Sequence, residues 1–105
     1  HFDRRAHAVV RGLTQARALE ELGRPEEALS VLERLMTGGS SSGPITAALI
    51  LMNERCRDPK AALRVGLAAL KNNGPQPAVM RALADVAERA GMLDRAEHWR
   101  RMAEP

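Results

Sequence analysis

Tyrosine is absent from this 105-residue chain, and Phe2 and Trp99 are its only aromatic residues. The pleated faces of sandwiches and barrels draw on aromatic and β-branched side chains, so an all-β fold is disfavoured. Cys56 is the only cysteine. No internal disulfide can form, and no zinc site of the usual Cys/His spacing exists. Long hydrophobic runs are missing too. The longest, Ile45 to Met52, is far shorter than the roughly 20 residues that span a bilayer, so no membrane insertion is expected. The chain opens on His1 without the pattern of a signal peptide, as a fragment or a tag remnant would. A soluble protein is expected, with cytoplasm and periplasm both open.

What is present favours helices. Eighteen residues are Ala, and Leu, Arg, Glu and Met are plentiful, all strong helix formers. The formal net charge is +3, from 16 basic and 13 acidic residues. Fourteen of the 16 basic residues are Arg, which with so much Ala suits a GC-rich bacterial genome. Acids are interleaved with the arginines, unlike the single-sign stripe of a nucleic-acid binder. Nucleic acid is therefore the less expected partner.

Self-comparison is the most informative step. Ala28, Ala62 and Ala96 recur every 34 residues. Gly23 and Gly91 lie two periods apart with Arg57 between them, and Pro25 and Pro59 match, with Leu93 third. Leu29 matches Leu63, and Leu35, Ala69 and Ala103 form another row. Each repeated string sits between two helical patterns. The first helix is predicted over about residues 3–22, with Asp3 as N-cap and apolar residues at three- and four-residue spacing. Pro25 opens the second, where a missing N–H costs nothing. Residues 37–44 form a Gly/Ser-rich loop of linker-like composition that loosens the first pair from the second. Helices are then predicted over about 45–57, from Asp58-Pro59 to about Lys71, over about 78–90 and over about 93–103. The expectation is a single all-α domain, an α-solenoid of three antiparallel helix pairs over about 9–42, 43–76 and 77–105, with extra leading turns at 3–8.

With that period, the sequence resembles the tetratricopeptide repeat family, a 34-residue helix-turn-helix unit with a small residue early in its second helix. Ala28, Ala62 and Ala96 match that residue. Gly23 and Gly91 match the inner-turn glycine, and Ala16, Ile50 and Ala84 match the small or apolar mid-helix position. The large aromatics of the family are missing: Gly12, Thr46 and Met80 stand where Trp is common, and Leu19, Asn53 and Ala87 replace Tyr. The resemblance implies a right-handed superhelix whose concave face is lined by the first helix of each pair. That face would carry Leu13, Thr14 and Arg17, then Ala47, Ala48 and Leu51, then Arg81, Ala82 and Asp85. Some members clamp a chaperone's C-terminal carboxylate there. The matching positions are Leu13, Arg17, Ala48, Ala78 and Ala82. Only Arg17 can donate to a carboxylate, so recognition of this type is not expected.

Catalysis finds little support. His1 is terminal, while His7 and His98 fall on polar helix faces. No nucleophile elbow, phosphate loop or H-E-x-x-H helix is present. Cys56 ends the third helix on a row shared with Leu22 and Ala90, and is read as a buried structural thiol. No enzyme activity, metal or cofactor is expected.

Binding is the better expectation. Residues 45–52 are apolar on nearly all sides of their helix, and such a helix must be covered all round. The expected function is an adaptor that takes an apolar peptide or helix of a partner protein in its groove. Of Leu13, Arg17, Ala48, Leu51, Arg81 and Asp85, Leu13 and Leu51 would supply burial, and Arg17, Arg81 and Asp85 orientation. The alternatives are a self-assembly module and, ranked last, an RNA-binding helical repeat. Glu97, Arg100 and Glu104 stand where earlier repeats carry Leu29 and Leu63, Leu32 and Gly66, Met36 and Leu70. That substitution reads as the polar face of a terminal repeat. Trp99 is expected to pack near Leu93 or Met102.

Overall fold

Proline, glycine and short polar residues set most of the helix boundaries. The computed structural model describes residues 4–37 and 42–104. Among them are α1 (Arg4–Glu21), α2 (Pro25–Thr37), α3 (Gly43–Cys56), α4 (Pro59–Asn73), α5 (Pro77–Arg89) and α6 (Leu93–Ala103), and no strand. The expected cap Asp3 lies outside the described residues, as does most of the Gly/Ser segment. α1 and α5 end in the same turn. Arg24 N donates to Leu19 O at 2.9 Å and Gly23 N to Glu20 O at 3.0 Å. Met92 N donates to Ala87 O at 2.8 Å and Gly91 N to Glu88 O at 3.1 Å. This pattern needs a left-handed residue, supplied by Gly23 at φ 77° and Gly91 at φ 81°. Asp58 caps α4 through a 2.7 Å bond accepted from Ala61 N.

α3 starts earlier than the sequence pattern predicts, at Gly43 rather than Ile45. Ser42 has extended backbone, and its hydroxyl accepts from Ile45 N at 3.2 Å. Pro44 sits in the first turn, where its missing N–H leaves no bond unmade. Within a glycine-rich stretch of linker-like composition, this serine acts as a helix cap.

The helices form a solenoid-like stack of helix pairs around two apolar clusters. Ala16, Leu29, Leu32, Ile45, Leu49 and Met52 join α1, α2 and α3. Ile50, Val79, Leu83, Val86, Ala96 and Trp99 belong to a cluster joining α3 to α6. α3 feeds both clusters, which explains why it is apolar almost all round. α2 packs on α3, so the first pair is not detached from the second. Two polar side chains are buried on α3, and each is satisfied locally. Thr46 Oγ1 donates to Ser42 O at 3.1 Å, and Asn53 Nδ2 donates to Leu49 O at 2.8 Å.

Two sequence expectations hold only in part here. Trp99 is buried, but Leu93 and Met102 are 64% and 48% exposed and stand outside its cluster. The indole instead turns into the α3–α6 core, where alanines at 84, 87, 96 and 103 leave room for it. Cys56 is half-buried, while its row-mates Leu22 and Ala90 are exposed. Those two sit at helix ends beside the left-handed glycines, beyond the packed stretch.

The inner helices, meaning the first helix of each pair (α1, α3 and α5), are tied in sequence by a repeated ion pair. Arg55 donates to both oxygens of Glu20 at 2.6 and 2.9 Å. One period later, Arg89 donates to Glu54 at 2.6 and 3.0 Å. Such two-pronged guanidinium–carboxylate pairs fix orientation as well as adding energy.

Candidate functional site

The inner helices are unevenly spaced, and the candidate site follows from that. α3 packs extensively on α5 but barely meets α1. Small residues allow the close approach on one side: Ala82 and Ala84 are buried in the α5 core. On the other side α2 fills the angle between α1 and α3, and a cleft of about 540 Å³ opens in front of it. Its floor is apolar, with Leu32, Ala16 and Met52 nearly fully buried. Leu13 from α1 and Ala47, Ala48 and Leu51 from α3 line it and are half-buried. The Glu20–Arg55 pair and Pro44 also border it.

The charges are simple to account for. Glu20 and Arg55 neutralise one another at 2.6 Å. Arg17 is exposed and has no ion-pair partner among the described residues. An apolar floor with one free guanidinium can bury a hydrophobic side chain and bind an acceptor or carboxylate beside it.

The structure thus brings five of the predicted groove residues together: Leu13, Arg17, Ala47, Ala48 and Leu51. Thr14 is exposed on α1 and does not line the cleft. Ala82 does not face a groove; it is 3% exposed in the core. Arg81 and Asp85 line a separate cavity of about 340 Å³ with Arg100, Ala103 and Glu104. Asp85 is held there by Arg100 at 3.2 Å, and Arg100 also pairs with Glu88. The expected continuous trough is therefore two sites, because the α3–α5 contact closes the space between them.

Glu20, Arg55 and Pro44 were missed as site residues. The signal for the first two was available: Glu20, Glu54 and Glu88 share the 34-residue period, as do Arg55 and Arg89.

The groups with chemical potential lie elsewhere. His7 and His98 are exposed. Among the described residues no group of three or more His, Cys, Asp or Glu is placed to hold a metal ion. No described helix is long and apolar enough to cross a membrane. Burial pushes the Cys56 thiol above its ordinary range, and the Glu26 and Glu20 carboxylates add to this against Arg55 and Arg57. The thiolate needed for nucleophilic chemistry is therefore disfavoured.

No protein-family model matches the chain, and no curated protein matches it significantly.

Proposed function

We propose that this chain is a non-catalytic interaction module of the tetratricopeptide-repeat type, taking an apolar segment of a partner protein in the α1–α3 cleft. The observation that carries this reading is the cleft itself. Leu13, Ala48 and Leu51 remain half-exposed around a buried apolar floor, beside an unpaired Arg17. Covering such surface gains about 25 cal/mol per Å² of apolar area. The repeat reading rests on the 34-residue period, the shared Gly23 and Gly91 turns and the ion pairs one period apart. The non-catalytic reading rests on a thiol whose pKa burial raises and on the surface placement of His7 and His98. The partner segment is expected to present leucine-like side chains with one carboxylate nearby.

Capture from source-organism lysate tests this with wild type, Leu51→Glu and Arg17→Glu, each confirmed helical by circular dichroism. Arg17 is exposed, so that variant keeps the test valid if Leu51→Glu unfolds. A protein retained by wild type, lost from both variants and cross-linked to α1 and α3 is the expected result. Identical capture by all three sinks the reading. Mass that rises with protein concentration, and is lost in Leu51→Glu, assigns the cleft to a second copy instead.

A further inference from the structure

α4 differs from its neighbours in charge. It carries Lys60, Arg64 and Lys71 and no acid, whereas each of the other described helices contains at least one. The whole chain has 16 basic and 13 acidic residues, so without α4 the remainder is 13 against 13. The formal net charge of +3 therefore resides on this helix.

The three cations are also aligned. At 3.6 residues per turn, Lys60, Arg64, Leu67 and Lys71 fall within an arc of about 60° and span about 16 Å. All four are exposed, Leu67 at 45%. Among the described helices α4 packs on α3 and α5 alone. None of its cations has an ion-pair partner among the described residues.

A second observation lies at the N-terminal end of the stripe. Pro59, Leu63, Ala90 and Met92 line an apolar pocket of about 410 Å³, with Lys60 and Asp58 at its border. The Asp58 carboxylate is already engaged in capping α4. The pocket therefore presents a hydrophobic recess whose adjoining free charge is positive.

We propose that α4 is a docking face for an acidic segment of a partner protein. One apolar side chain of that segment enters the Pro59–Met92 pocket, and its carboxylates run along Lys60, Arg64 and Lys71. The face shares no residue with the α1–α3 cleft and stands whether or not the cleft reading does. Charge complementarity selects an anion, and the pocket selects a protein one. Single-stranded nucleic acid gains much of its affinity from aromatic stacking, yet Trp99 is buried and nothing aromatic lies on this stripe. Membrane-surface helices bury a broad apolar face, and here Leu67 is the only large apolar side chain among the cations.

The test uses the intact chain and a fluorescent helical peptide with a leucine at one end and glutamates at matching four- and seven-residue spacing. A glutamine version, a short uridine RNA and phosphatidylserine vesicles serve as competing probes. The glutamate peptide is expected to bind and to weaken about tenfold between about 50 and 300 mM NaCl. The glutamine peptide is expected to bind about tenfold more weakly. Lys60→Glu/Arg64→Glu/Lys71→Glu abolishes binding, whereas the charge-keeping Lys60→Arg/Arg64→Lys/Lys71→Arg binds like wild type. Arg17→Glu has no effect on it. The proposal is overturned if the glutamate peptide does not bind, if charge reversal leaves binding intact, or if RNA or vesicles bind more tightly than the peptide.

Discussion

Gly66→Ala is the sharpest test of how the repeats pack. A helix interior ordinarily prefers alanine by about 0.5–1 kcal/mol. On propensity alone, this change stabilises α4. The structure says otherwise. A Cβ on Gly66 would lie 2.3 Å from Leu83 Cδ2, 2.7 Å from Leu83 Cγ and 3.0 Å from Ile50 Cδ1. Rotating a methyl clears the first of these but not the second, since Cγ is the branch point of the leucine. Leu83 and Ile50 are both fully buried, so neither can swing into solvent. Overpacking of a close-packed core costs about 1–3 kcal/mol. After the propensity gain, a net loss of about 1–2 kcal/mol is expected. Urea unfolding followed by circular dichroism measures it, with the m-value unchanged. The midpoint of thermal unfolding is expected to drop by about 4 °C or more. Leu83→Ala alone costs about 2–5 kcal/mol, but it also makes room for the new methyl. The double variant is therefore expected to be more stable than the summed losses by about 1 kcal/mol. A Gly66→Ala protein as stable as wild type, or losses that simply add, would refute the close approach of α4 to α5.

Asp58→Ala removes the bond to Ala61 N and is expected to cost about 1 kcal/mol, read by the same unfolding curves; Asp58→Asn, which retains a cap acceptor, should recover most of it. Cys56 has a thiol raised above its ordinary pKa of 9.0 by burial and the Glu26 and Glu20 carboxylates. A raised folded-state pKa means that the unfolded chain loses this proton first. The contribution is fully present below about pH 9 and declines as pH climbs from there through the folded-state value. Alkylation of Cys56 by iodoacetamide at pH 8 is expected to be slower than that of free cysteine, and to accelerate in urea. Equal rates in folded and unfolded chains would show that the thiol is not shielded.

Much of this architecture was readable in advance, for identifiable reasons. Pro25, Pro59, Gly23 and Gly91 act on their own backbone, so the bounds of α2, α4 and α5 could be placed within a residue or two. The apolar girth of α3 correctly signalled a helix covered on several sides. What the string could not convey is how far one repeat rotates against the next. That depends on the small side chains at 66, 82 and 84, which let α5 close on α3. On α1 the comparable small residue, Gly12, faces Leu35 of α2 instead of α3. The predicted groove therefore divided, with Leu13, Arg17, Ala47, Ala48 and Leu51 in one cleft and Arg81 and Asp85 in another. Ala82 was misassigned for the same reason: its face is decided by the tilt of a neighbouring helix, not by its own period. Ser42 was missed because a capping serine and a linker serine look alike without coordinates.

The ion pairs between inner helices have a consequence for growth of the stack. Each rung joins a glutamate to an arginine 35 residues ahead, Glu20 to Arg55 and Glu54 to Arg89. Continued onto a second copy laid end to end, the next rung would need Glu88 to find an arginine at the start of that copy. The residue at the corresponding place, 34 before Arg55, is Glu21. Two carboxylates would meet where the ladder requires opposite charges, and Glu88 is already engaged by Arg100. The rung that seats one pair on the next is thus specific to these two steps: its glutamate recurs at Glu20, Glu54 and Glu88, but its arginine recurs only at Arg55 and Arg89, the place one period earlier being Glu21.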